Sequence, residues 1–284
     1  MAKGTGEAGE NPLVPNAKLR QMYTAMLEAR MLEDAVTKKA RGKKGRISSI
    51  RGQEAVRVST AIELGVEDLI SDVAPSAGMG LILGGEPASL LKRFSGSKLP
   101  KTSARAADRL LPVIPDTEER LRVAVGAAAA LKAQRRGGVV VAYTRAGEIS
   151  NVGWRRVLGP AAKLELPMIF VVLPQTRRTQ NGGSVTAACH ATGVPGMSVD
   201  VCDAVALYRV TQESLGRTRA CDGPVLIECV AWHVEGKRTA SDDPLEHLKA
   251  FLLERKICTP AWFDRTQETA RKPLLAKRRA SKNQ

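Results

Sequence analysis

The chain has 284 residues, of which 43% are hydrophobic and 26% charged, so it can bury one large core or two small ones and is not globally disordered. Lys and Arg number 44 against 29 Asp and Glu, a formal charge of +15 that raises an anionic partner, yet aromatics at 4% are too few for a base-stacking single-strand binder. No apolar run reaches the roughly 20 residues of a membrane span. The opening MAKGTGEAGENPLVPN has no apolar h-region, so no secretory signal is expected. The five cysteines form no CxxC pair, which argues against a disulfide framework or a zinc ribbon and for a reducing cytoplasm.

Residues 1–16, rich in Gly, Glu and Pro, read as a flexible lead. From Ala17, the residues Leu19, Met22, Tyr23, Met26, Leu27 and Met31 recur at three- and four-residue steps, which predicts an amphipathic helix. It runs into a basic loop, KKARGKKGR. A second helix is expected from Gly52, with Gln53 and Glu54 in its first turn and Gly65 as its C-terminal cap. GMGLILGGEPASLLKRF reads as one short helical segment. SGSKLPKTSARAADRLLPVIPD is the least ordered internal stretch.

The middle of the chain predicts a βαβ unit. An Ala-rich helix over 123–134 is stopped by Gly137 and Gly138. A continuous apolar run, 139–143, suits a strand covered on both faces, and a helix over 151–164 leads to a second such strand, 167–173. A further helix over 204–215 precedes a strand over 224–230. The fold class is therefore α/β, a parallel sheet flanked by helices. The domain division is a lead over 1–16, an α/β domain over 17–265 and a basic tail over 266–284. Ligands of such sheets bind beyond the carboxyl ends of the strands, which directs attention to the loops after Tyr143, Leu173 and Val230.

Several residues invite chemistry and have plainer readings. Cys189 and His190 are adjacent, whereas catalytic pairs come from distant positions, so a structural role is expected. His233 and His247 read as ordinary polar residues. Asp242 and Asp243, beside Pro244, read as caps of a helix over 245–255. Gly182 and Gly183 lie in no phosphate-loop pattern and read as a turn. Glu148, at a strand's carboxyl end, is a displaced metal ligand or a solvated loop residue, the second being preferred. The basic loop and tail read as solvated segments, without a nucleic-acid-binding motif beside them.

The pieces LRQMYTAMLEARMLEDAV, RGQEAVRVSTAIELGVEDLISD, AVGAAAALKAQRRGGVVVAY, LGPAAKLELPMIFVV, GVPGMSVDVCDAVALY, GPVLIECVAW and SDDP, taken in order, resemble the alpha subunit of the thiamine-diphosphate-dependent 2-oxo acid dehydrogenases, the decarboxylating first component of pyruvate and branched-chain type. The resemblance covers about residues 16–263. It implies the thiamine-diphosphate-binding fold, the coenzyme with Mg²⁺, and a beta-type partner in a hetero-oligomer, with a homodimer as the other assembly. The family reaction is oxidative decarboxylation of a 2-oxo acid with acyl transfer to a lipoyl group.

The resemblance also implies that the site is lost. The family holds its metal through the Asp of a Gly-Asp-Gly triplet and one of an Asn pair, because a hard cation needs charged oxygen. Here the triplet reads Arg145, Ala146, Gly147, and the Asn pair reads Pro174, Gln175. Gly147 and Gln175 are thus the remaining cofactor-binding candidates, with no catalytic residue and no metal ligand assigned. Residues 74–77 replace a Tyr-Arg-Glu-His run, PDTE over 115–118 replaces a Gly-Ile-Val-Gly cradle, and Lys237 stands for a family His. The stretch around Leu99 is shorter than the family's glycine-rich cofactor loop. Three functions stay open: a catalytically degenerate, structural or regulatory alpha-type subunit, expected first; a working alpha half with an atypical site, where Arg145 could pair a diphosphate without metal; and a basic binding protein that reuses the scaffold.

Overall fold

The computed structural model describes residues 10–40, 49–96, 109–174, 185–231 and 243–275. Helix α1 (Asn16–Ala40) and α2 (Glu54–Ala61) precede strand β1 (Leu69–Ser71), and α3 (Ala77–Ile82), α4 (Pro87–Ser95) and α5 (Thr117–Ala133) follow it. Then come β2 (Val140–Arg145), α6 (Asn151–Lys163), β3 (Met168–Leu173), α7 (Thr186–Thr192), β4 (Gly196–Asp200), α8 (Ala204–Arg219), β5 (Val225–Val230), α9 (Pro244–Glu254) and α10 (Pro260–Leu275).

The strands form one sheet in the order β1-β2-β3-β5-β4, with every pairing parallel. The expected parallel sheet is therefore present. Its middle strands are apolar along their whole length because each face meets its own core. Val141, Tyr143, Ile169, Val171 and Ile227 pack towards α1, α2, α8, α9 and α10. Their neighbours Val140, Ala142, Met168, Phe170, Val172 and Leu226 pack towards α5, α6 and α7. A smaller cluster, Leu32, Val36, Ala77, Leu90 and Leu91, joins α1, α3 and α4.

Short polar side chains fix where the helices begin. Ser76, Asp116, Ser150, Asp203 and Asp243 each accept a hydrogen bond from the first turn of the following helix. The Asp116 cap starts α5 at Thr117, six positions before the Ala-rich run that predicts it. Helix α2 ends at Ile62, not at Gly65; the Gly65 N–H instead donates to Asp68 (2.6 Å). The segment over 78–94 is two helices, α3 and α4, because Gly84 takes a positive φ of 90° and Gly85 lies against the Gly80 carbonyl. Gly138 contributes no helix stop. Its bare Cα admits the Glu67 backbone beside β2.

Strands β1 and β4 and helix α7 have no counterpart in the expected elements. In the stretch read as a lead, Val14 is buried, the Asn11 carboxamide accepts from the Leu13 and Val14 N–H groups, and Glu10 accepts from the Asn16 N–H. Helix α10 runs to Leu275, so the boundary placed at 265 falls inside a helix. Most of the basic loop after Ala40, residues 97–108 of the Ser-Lys-Pro stretch and the last nine positions lie outside the described residues.

Asp68 ties the amino end of the sheet together. It is 1% exposed in its side chain; Oδ1 accepts from the Val139 N–H at 2.8 Å, and Oδ2 accepts from Gly65 and from Arg219 Nη2 at 2.7 Å. Asp68→Ala leaves the buried Val139 N–H, the Gly65 N–H and the Arg219 guanidinium without their acceptor, and is expected to lower stability by about 3 kcal/mol in urea unfolding. Asp222→Ala, at an exposed turn, is expected to change it by less than about 0.5 kcal/mol.

Candidate functional site

Where β1 and β2 end, helices from opposite faces of the sheet bring two arginines together. Arg57, from α2, is 5% exposed; Arg120, from α5, is 1% exposed. Arg57 forks onto Asp72, just past β1, with Nη1–Oδ2 at 2.5 Å and Nη2–Oδ1 at 3.1 Å. Its guanidinium carbon also lies 3.9 Å from the centre of the Tyr143 ring. The Tyr143 hydroxyl bonds to Thr60 Oγ1 at 2.6 Å. Arg120 donates from Nη1 to the Tyr143 carbonyl at 2.8 Å and to Ser71 Oγ at 3.3 Å, while its buried Nη2 has no hydrogen-bond partner among the described residues.

The loop after β2 closes over this place. The Ala146 N–H donates to the Leu173 carbonyl (2.8 Å), and Gly147 has a φ of 77°, a conformation that suits glycine. Glu148 turns back on its own loop. Its Oε2 accepts from the Arg145 N–H (3.2 Å), Thr144 Oγ1 (3.3 Å) and Thr117 Oγ1 (3.4 Å), and Oε1 lies 3.8 Å from Arg145 Nη1. Glu148 is an exposed loop residue, as expected, and its side chain, 26% exposed, is held by these donors. Ala146 is half-buried beside the α5–α6 core.

A Mg²⁺-diphosphate does not fit these residues. The position to which the resemblance assigns the charged ligand is Ala146, the nearby carboxylates Asp72 and Glu148 are bonded to Arg57 and to the Arg145 loop, and the neighbouring Arg120 is a buried cation. Among the described residues no group of three or more His, Cys, Asp and Glu is placed to hold a metal ion. Two further positions of the implied cofactor site serve as helix starts, Ser76 for α3 and Asp116 for α5. Gly147 is placed in the loop after β2. Gln175, Gly182, Gly183, His233, Lys237 and Asp242 lie outside the described residues.

Cys189 is buried and its thiol is pushed up to about 11 by that burial, whereas His190 is exposed. His247 is half-buried on α9. Asp243 caps α9 and also pairs with Arg30 at 2.7 Å, which, with the cap's N–H groups, holds its carboxyl below the ordinary value despite partial burial. Sequence reasoning missed Arg57, Asp72 and Arg120. The available signal was an arginine inside each apolar stripe: Arg57 among Val56, Val58 and Ala61, and Arg120 beside Leu121 and Ala124.

Residues 22–251 match the family model described as the dehydrogenase E1 component. The chain is 30% identical over 246 residues to the 3-methyl-2-oxobutanoate dehydrogenase subunit alpha of Mycobacterium tuberculosis, covering 82% of this chain and 65% of that one. It is 29% identical over 259 residues to the pyruvate dehydrogenase E1 component subunit alpha of Staphylococcus aureus, covering 85% and 68%. It thus spans about two thirds of the length of these relatives. A solved chain from Mycobacterium smegmatis, provisionally described as a thiamin diphosphate-dependent enzyme, superposes with a TM-score of 0.42 at 15% identity, over 63% of this chain and 31% of that one.

Burial sets two titrations. Cys189 and Cys229 are pushed up to about 11 and about 12, and Cys221 is the exposed thiol of the five. A thiol reagent at pH 8 is expected to modify one cysteine rapidly in the native protein, and Cys221→Ser to abolish that fast phase; rapid labelling of Cys189 would revive the nucleophile reading. All three tyrosines, Tyr23, Tyr143 and Tyr208, are raised from 10.0 to about 12, mainly by burial. A raised folded-state value keeps this stability intact below pH 10 and loses it as pH climbs towards 12. Absorbance at 295 nm is expected to stay flat to about pH 11 and then rise together with unfolding.

Proposed function

Because the chain belongs to the dehydrogenase E1 component family, we propose that it is an alpha-type subunit whose coenzyme site has been given up and whose role is structural or regulatory. The single observation behind this reading is the loop after β2. Ala146 stands where an anionic ligand belongs, and the adjacent Glu148 is tied to Arg145, Thr144 and Thr117. Gly147 and Gln175 are, in this reading, the remnants of the cofactor site. The retained parts are those a subunit needs in order to fold: apolar strands, capped helices and a continuous core on each face of the sheet.

The partner is a beta-type dehydrogenase chain, as the alpha-subunit names of the relatives suggest, with a homodimer as the other assembly. The compartment is the cytoplasm. Among the described residues no helix is long and apolar enough to cross a membrane. A working alpha half would take a 2-oxo acid of pyruvate or branched-chain type, but it needs a charged oxygen at the metal position.

The test follows thermal unfolding of the purified chain, alone and mixed with a beta-type dehydrogenase chain, while thiamine diphosphate and Mg²⁺ are added together. A ligand that binds only the folded state adds about 2.7 kcal/mol at a hundred times its dissociation constant. The expected result is a Tm unchanged within about 1 °C and a complex that forms without the coenzyme. A Mg²⁺-dependent rise in Tm would restore the chain to catalysis.

A further inference from the structure

We infer that Arg120 makes the carboxyl ends of β1 and β2 a metal-independent site for a small oxyanion, a phosphate or a carboxylate, the cation being supplied by the chain itself. Around this point stand three guanidiniums, Arg57, Arg120 and Arg145, and two carboxylates, Asp72 and Glu148. Asp72 is taken up on both oxygens by Arg57. Glu148 is taken up by Arg145 and two threonine hydroxyls. Among the described residues no carboxylate is bonded to Arg120. Nη1 rests on two neutral oxygens, and Nη2 is buried with no acceptor among the described residues.

A guanidinium cannot escape this position by losing its proton, because its ordinary value lies far above physiological pH. A lysine or histidine would go neutral here; an arginine stays a buried cation with an unmet donor. Both deficits are removed by one anion, which brings the missing charge and the missing acceptor together. The Ser71 hydroxyl accepts from Arg120 and keeps its own proton to donate at the same place. The half-exposed Arg145 guanidinium stands at the rim, where it would draw an anion in. Divalent metal has no part in this, since the oxygens that would hold it are already paired.

The inference rests on the proposed reading only in that no metal is held here. The test uses the full chain in EDTA. Inorganic pyrophosphate, orthophosphate and pyruvate are titrated separately, followed by Tm and, for the phosphates, by ³¹P line width. The expected result is a saturable rise in Tm and broadening for at least one probe in EDTA, unchanged on adding excess Mg²⁺. The arm that responds tells a phosphate from a carboxylate. Arg120→Gln is expected to weaken that binding by at least about tenfold, as loss of a charge-assisted hydrogen bond does, while Arg122→Gln, exposed on the same helix, leaves it unchanged. If Arg120→Gln fails to fold, Arg120→Lys, which loses the planar fork and the fixed charge, is expected to weaken it in the same direction. No response to any probe in EDTA overturns the inference and leaves the structural-subunit reading standing. A response only with Mg²⁺ overturns it as well, and thiamine diphosphate binding with Mg²⁺ would count separately against the reading.

Discussion

The pairing of Arg57 with Asp72 is the constraint around which this molecule's carboxyl-end geometry is built. Both groups are almost wholly buried, and each comes from a different layer: Arg57 from the helix that precedes the sheet, Asp72 from the end of its edge strand. The desolvation of two ions is large, and it is offset only if every donor finds an acceptor. Here the fork is bidentate, the Tyr143 ring covers the guanidinium, and Thr60 satisfies the tyrosine hydroxyl. The result locks α2, β1 and β2 into one register. It also decides what the neighbouring space can hold, because Asp72 is no longer available to any other cation.

Arg120 presents the opposite case. It reaches the same point from the other face of the sheet and bonds to the Tyr143 carbonyl, a group that the end of a parallel strand leaves without a ladder partner. That satisfies a backbone acceptor at the cost of burying a second cation. A core helix gains little from an arginine at a position where leucine would pack, so its presence calls for a reason beyond packing. The orphaned Nη2 is that reason's visible trace. In the proposed reading, the place of a metal ion and its anion thus has a fixed positive charge of its own.

The sheet was legible where burial on both faces forces long apolar runs, as in VVVAY and MIFVVL. The two outer strands were not. β1 is three residues long, Leu-Ile-Ser between Asp68 and Asp72, too short for any period to show. β4 is an edge strand with only Val199 buried, so neither alternation nor hydrophobicity marks it. Helix starts were partly legible, since Asp243 before Pro244 reads as a cap and is one. The site was legible only by what it lacks, Ala146 in place of a carboxylate. What it holds was hidden, because Arg57 and Asp72 are fifteen positions apart, Arg120 is farther still, and only the topology joins them.

The positions that depart from the family resemblance have been put to another use. Ser76 and Asp116 start helices; Glu148 closes the turn that Gly147 makes possible. A side chain that caps a helix contributes about 1 kcal/mol to folding whether or not a coenzyme is near, whereas a carboxylate kept ready for a metal destabilises the empty site by its own desolvation. Once binding is no longer required, drift at such positions runs towards groups that satisfy the backbone locally. The strands and the core cannot drift in the same way, because each substitution there opens a cavity or buries an unmet polar group. A scaffold that outlasts its site is therefore the expected product of relaxed selection on binding with selection on folding intact. The one feature this account does not generate is the buried guanidinium of Arg120, which satisfies the Tyr143 carbonyl but leaves Nη2 without an acceptor among the described residues. Local drift would explain Ala146; the inferred oxyanion would explain Arg120.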